Sequence, residues 1–224
     1  MAHISLLRRG LAEFFATAFI MTVLIGSTIQ GEALTKDSGV TFQIVWLAFL
    51  CGLALAIFIF GPVSGAHLNP VVTWVMRLKG QLKTSEALAY SAFQIAGAIS
   101  GSIIANLMFN LAPVQFATPL RSTPGELIGE FISTSGLVAV ILVMNDRGAA
   151  RWSWAAVTAW IGTAFLFTSS TCFANPAVTI GRIFSGSGAG IEASSVPAFI
   201  AVQIAAGALG IWIAKLLRVN PAAN

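Results

Sequence analysis

The stretch Ser64-Gly65-Ala66-His67-Leu68-Asn69-Pro70-Val71-Val72-Thr73 is mostly apolar, belongs to a segment too short to cross a bilayer, and contains an Asn-Pro pair. Cys172-Phe173-Ala174-Asn175-Pro176-Ala177-Val178-Thr179 repeats that arrangement 106 residues later. Asn is a preferred helix N-cap and Pro is welcome at the first helical position. Each pair therefore predicts a short helix that begins at the Asn, over 69–78 and 175–184. Everything around these two segments reads differently.

The flanking sequence divides into longer apolar runs near 11–29, 41–61, 86–108, 125–144, 152–169 and 194–216, separated by polar or Gly- and Pro-containing breaks. The chain has 224 residues, 57% hydrophobic and 9% charged, with a mean hydropathy of +0.86. A soluble domain carries about 25% charged residues, so this composition excludes a soluble enzyme. A helical span needs about 20 apolar residues, and the length accommodates six. The alternating polarity of a transmembrane β-barrel is absent. The first run has no small-residue cleavage site and reads as a retained helix rather than a signal peptide. The expected fold is an all-α membrane protein with six transmembrane helices and two re-entrant half-helices.

Lys and Arg set the orientation. With the N-terminus inside, Arg8, Arg9, Arg77, Lys79, Lys83, Arg147, Arg151, Lys215 and Arg218 fall on the cytoplasmic side, and Lys36, Arg121 and Arg182 fall outside. Nine against three predicts cytoplasmic termini. It also explains the net charge of +4 without a nucleic-acid partner.

The halves repeat internally. Glu13-Phe14 with Thr17 recurs as Glu130-Phe131 with Thr134, and Gln94-Ile95-Ala96 recurs as Gln203-Ile204-Ala205. Each half holds three spans, an odd number, so the second must lie inverted. The expected division is 1–110 (spans 1–3 and half-helix 69–78) and 111–224 (spans 4–6 and half-helix 175–184) within one integral domain. Inverted repeats with broken helices point to a central solute path. Two half-helix N-termini that abut at the midplane would each aim about half a positive charge at one point. The Asn side chains would cap the backbone and offer NH2 donors to a lumen.

These two motifs, with the paired Glu residues and six spans, closely resemble the major intrinsic proteins, the aquaporins and aquaglyceroporins. The resemblance covers nearly the whole chain. It implies a right-handed bundle, a pore in each subunit of a homotetramer, and passive conduction of small neutral solutes across a bilayer. The pore motifs would be Asn69, Pro70, Val71 and Asn175, Pro176, Ala177. Carried over by distance from the two Asn residues, the selectivity filter would be Phe49, Thr163, Cys172 and Val178. Family members normally have Arg at the position of Val178, His at that of Thr163 in strict water channels, and Ala at that of Val71. The expected mouth is wide and uncharged and admits solutes larger than water: glycerol-like polyols, urea or neutral metalloid hydroxides such as arsenous acid. A bacterial branch of the family is associated with arsenic resistance, which suggests a bacterial inner (plasma) membrane. Against glycerol, the second motif lacks the Arg-Asp pair of glycerol facilitators.

The same residues admit other readings. By resemblance Glu13 and Glu130 hold the loops behind the half-helices, a role favoured over proton relay, and His67 packs in the first loop. Arg182, one turn after Val178, is expected to make an outer loop contact rather than charge the vestibule. Cys51 reads as a core residue and Cys172 as exposed to the pore. Gly97, Gly101, Gly207 and Gly210 read as close helix packing. An intramembrane serine protease, suggested by Gly61-Pro62-Val63-Ser64-Gly65, would need a distant His base, but the two histidines are His3 and His67. An ion-coupled secondary transporter and a strict water channel remain the alternatives. No cofactor or metal site is expected.

Overall fold

A computed structural model of the chain describes residues 4–218; His3 lies outside them. Their regular structure is helical: α1 (Leu6–Leu34), α2 (Ser38–Ser64), α3 (Pro70–Leu78), α4 (Thr84–Met108), α5 (Pro124–Asp146), α6 (Ser153–Phe167), α7 (Pro176–Gly181) and α8 (Val196–Leu216). Five helices, α1, α2, α4, α5 and α8 with its leading turn, are long and apolar enough to cross a membrane. At its ends α1 runs five residues past the apolar stretch, because a helix continues into the polar boundary once nucleated. Ser5 caps it, accepting from the Arg8 amide.

The sixth long element is shorter than expected. α6 has 15 residues, about 22 Å at 1.5 Å per residue. A 3₁₀ turn, Ala150–Trp152, precedes it, and at Thr168 it gives way to the irregular chain that carries Cys172 and Asn175. Indole N–H groups tie it to its neighbours: Trp46 donates to the Gly162 carbonyl at 2.9 Å and Trp160 to the Ser133 carbonyl at 2.8 Å. The second half-helix is also shorter than 175–184. α7 ends at Gly181 and tightens into a 3₁₀ turn, Arg182–Phe184. Ser102 donates to the freed Gly181 carbonyl at 2.8 Å, which satisfies an acceptor that hydrocarbon could not.

The pairs α1–α4 and α5–α8 pack backbone to backbone. A Cβ on Gly101 would collide with the Ala18 carbonyl, and one on Gly210 would sit 2.6 Å from the Ser135 carbonyl. Small residues let the helices approach this closely where no hydrophobic effect drives them together. Cys51 is exposed on α2, contrary to the sequence expectation. That helix is apolar all round, so hydropathy alone does not distinguish its lipid face from its core face.

Candidate functional site

The two half-helices meet through their first residues. Asn69 caps α3, its Oδ1 accepting from the Val71 amide at 2.9 Å, and Asn175 caps α7, accepting from Ala177 at 2.9 Å and Val178 at 3.4 Å. Pro70 and Pro176 occupy the first helical positions, where a missing N–H costs nothing. Each Asn NH2 reaches across: Asn69 Nδ2 donates to the Ala174 carbonyl and Asn175 Nδ2 to the Leu68 carbonyl, both at 2.7 Å. An amide carries two N–H donors, so one on each Asn is left over, and both residues line the central cavity. Val71 and Ala177 are buried behind them, with the Val71 side chain toward Gly207 of α8.

Behind each cap stands a fully buried carboxylate. Glu13 accepts from Ser64 Oγ at 2.6 Å, the His67 amide at 3.0 Å, the Leu68 amide at 2.7 Å and Gln94 Nε2 at 2.8 Å. Glu130 accepts from the Phe173 and Ala174 amides at 2.8 Å and from Gln203 Nε2 at 2.7 Å. Each Gln also donates to a half-helix Thr: Gln94 to Thr73 at 2.9 Å and Gln203 to Thr179 at 3.0 Å. The sequence displayed Gln94 and Gln203 only as a repeat; the structure gives them this bracing role.

These loops hold a backbone that residue types did not announce. Ala66 and Leu68 have φ of 46° and 52°, and Cys172 and Ala174 have 52° and 48°. Left-handed conformations cost non-glycine residues about 1–2 kcal/mol each. Here they turn the amides of His67, Leu68, Phe173 and Ala174 toward the carboxylates, leaving the Leu68 and Ala174 carbonyls for the opposite Asn. His67 packs within its loop, Nδ1 3.1 Å from Thr73 Oγ1 and its ring centroid 5.4 Å from that of Tyr90.

Two cavities lie end to end. The first, about 470 Å³, runs from Met76, Asn145 and Arg151 past both Asn residues to Phe49, Cys172 and Val178. The second, about 440 Å³, is lined by Leu24, Val45, Phe165 and Arg182 among others. They meet one helical turn apart on four elements: Ile20 and Leu24, Phe49 and Val45, Ile161 and Phe165, Val178 and Arg182. Phe165 spans the junction, its ring centroid 6.3 Å from that of Phe49.

Phe49, Cys172 and Val178 thus come together at the outer end of the first cavity. Thr163 does not join them. It is exposed on the far side of α6, its hydroxyl returned to the Ala159 carbonyl at 2.9 Å. The cavity face of α6 is Trp154, Val157, Ile161 and Phe165, and Thr163 lies two residues, about 200° of helix, from Ile161. Thr163→Ala should therefore change solute flux by less than about twofold. Phe165→Ala should raise the flux of a three-carbon polyol by about fivefold as the ring opens, with a loss of about 3 kcal/mol in stability. Swelling rates of proteoliposomes, with thermal melts in detergent, check both.

Cys172 is buried, yet its residue lines the first cavity, whereas Cys51 is exposed. Mercurial reagents should block most of the flux in the wild type. Cys172→Ser should conduct and resist, and Cys51→Ser should remain sensitive. Equal inhibition of Cys172→Ser would remove that thiol from the path. Arg182, expected at a loop contact, does donate from Nε to the Ala189 carbonyl, but it is buried and lines the second cavity.

Two capped half-helices nose to nose, braced by buried carboxylates and lining one end-to-end pair of cavities, define a membrane channel. Residues 1–167 match the major intrinsic protein family, and the chain belongs to that family, whose members are passive channels and not enzymes. It is 36% identical to the aquaglyceroporin AqpS of Rhizobium meliloti (strain 1021), covering 97% of this chain and 95% of that protein. It is 32% identical to aquaporin NIP1-4 of Oryza sativa subsp. japonica, covering 94% and 77%. Its fold matches the crystal structure of the aquaglyceroporin from Plasmodium falciparum with a TM-score of 0.76 at 19% identity, covering 95% and 97% of the two chains. The chain is an integral membrane protein that conducts water and small uncharged solutes.

Proposed function

We propose that this channel conducts glycerol-like polyols and neutral metalloid hydroxides, such as arsenous acid, alongside water. The observation that carries the reading is the junction itself, where Phe49, Phe165, Cys172 and Val178 surround the path with apolar or weakly polar groups. With Val178 in place of a guanidinium, the bulk and the donors that an Arg would bring to the opening are missing. The Asn donors inside accept a hydroxylated solute in place of its water shell. An aquaglyceroporin at 36% identity over nearly the full length supports the same solute class.

Coupling to an ion gradient would need a titratable group on the path. Both oxygens of Glu13 and of Glu130 are engaged by loop amides and Gln side chains, which favours the scaffold reading. We further infer a homotetramer with one pore per subunit, each half of the chain (1–110 and 111–224) forming one arm of an inverted repeat. It would sit in a bacterial plasma membrane with both termini cytoplasmic, as the basic residues are distributed. Swelling rates measured solute by solute, with water, glycerol, urea and arsenous acid, test the selectivity. Entry of glycerol and arsenous acid is the expected result; conduction of water alone would sink it.

A further inference from the structure

The second cavity gathers the whole basic complement that charge counting places outside: Lys36, Arg121 and Arg182 all line it, with Glu32 as the one acidic lining residue. Glu32 is not paired with any of them; its Oε1 accepts from the Gly188 amide at 2.8 Å. Among the described residues no carboxylate lies within 4 Å of these three cations. Arg182 is only 3% exposed. Its guanidinium carbon stacks 3.4 Å from the centroid of the Phe173 ring. The bond from Nε to the Ala189 carbonyl is the only side-chain hydrogen bond of Arg182 to a described residue, which leaves both Nη groups without one. Arg121 approaches the same ring at 5.4 Å and donates to the Gly190 and Gly188 carbonyls at 3.0 Å.

A buried guanidinium without an acid partner is expensive. Paired with one, it would also be silent toward a passing ion. Here two guanidiniums are fixed by a ring and by carbonyls; Glu130 and Glu126 act on them only through space and without an ion pair, so the cavity that both line keeps an excess of positive charge. A low-dielectric cleft lined by one sign of charge focuses the field on whatever enters it. Arg182 stands one turn beyond Val178, where the sequence had implied an uncharged mouth.

We propose that Arg182, with Arg121, is a cation and proton barrier displaced one helical turn outward from the apolar ring, so that size selection and charge selection occupy separate levels. The ring of Phe49, Phe165 and Val178 sets which neutral solutes pass. The arginines above it repel cations and take no part in sizing the neutral solute. This inference rests on the channel reading given above.

Proteoliposomes carrying wild type, Arg182→Gln, Arg182→Lys or Arg121→Gln test it, with potassium diffusion potentials and a trapped pH dye reading cation and proton leak, and glycerol swelling read in parallel. The wild type should be tight to both ions. Arg182→Gln should raise the leak at least about tenfold, as expected for removing a fixed charge about 12 Å or less from a passing ion at an effective dielectric constant of about 20. Arg121→Gln should raise it less, Arg182→Lys should stay near wild type, and glycerol flux should change by less than about twofold throughout. A wild type that already leaks overturns the proposal, as does a folded Arg182→Gln that stays tight. If Arg182→Gln does not fold, the wild-type and Arg121→Gln arms decide, and an Arg121→Gln channel as tight as wild type then overturns it. Absence of glycerol flux in the wild type would instead count against the channel reading.

Discussion

Val178→Arg should cut glycerol and metalloid flux by about tenfold, a rise of only about 1.4 kcal/mol in the barrier, while water flux falls far less. Val178 is 4% exposed and shares the outer end of the first cavity with Phe49 and Cys172. A guanidinium there brings a planar bulk and five donors where Val offers methyl groups. The opening narrows toward the size of a water molecule, so the ratio of water to solute permeability rises. Cation leak should hardly move, because the arginines one turn further out already repel cations. If Val178→Arg folds and the permeability ratio is unchanged, Val178 does not line the path.

Glu130→Ala should be the most destabilising single change of those considered. It strips acceptors from the Phe173 and Ala174 amides and from Gln203 Nε2, in a place where neither water nor lipid replaces them. Each unsatisfied buried donor costs about 1–3 kcal/mol, so the loss is on the order of 3–5 kcal/mol. Flux should be lost with it, because the left-handed backbone at Cys172 and Ala174 then keeps only the Asn69 bond to the Ala174 carbonyl and the Cys172 amide bond to Ser170 Oγ. Glu130→Gln keeps one acceptor oxygen and should fall between, with Glu13→Gln behaving alike through Ser64, His67 and Leu68. Thermal melts in detergent beside Thr163→Ala as control provide the measurement. A Glu130→Gln protein that melts like wild type would argue against the scaffold role.

Asn69-Pro70 and Asn175-Pro176 were legible because capping chemistry is local: the residue types that begin a helix do so wherever it lies. The paired Glu and Gln residues were legible as repeats, but the Gln roles depend on which side chains converge across helices. Thr163 was misplaced for a physical reason. Counting twelve residues back from Asn175 passes through Thr168–Ala174, an irregular stretch in which a residue count does not fix the angle at which α6 resumes. The structure puts Phe165 where the count put Thr163. The left-handed residues Ala66, Leu68, Cys172 and Ala174 carried no Gly or Asn signal, since the buried carboxylates and not their side chains impose the conformation. Arg182 was found by spacing, but its burial against Phe173 follows from the turn after Gly181, which the pattern of apolar residues did not show.

The most direct measurement is tracer glycerol in proteoliposomes with a proton or sodium gradient imposed, reversed or collapsed. A passive channel carries glycerol equally in both directions, stops at equal concentrations, and ignores each gradient. Accumulation of glycerol above its external concentration, driven by either gradient and lost when that gradient is collapsed, would contradict it.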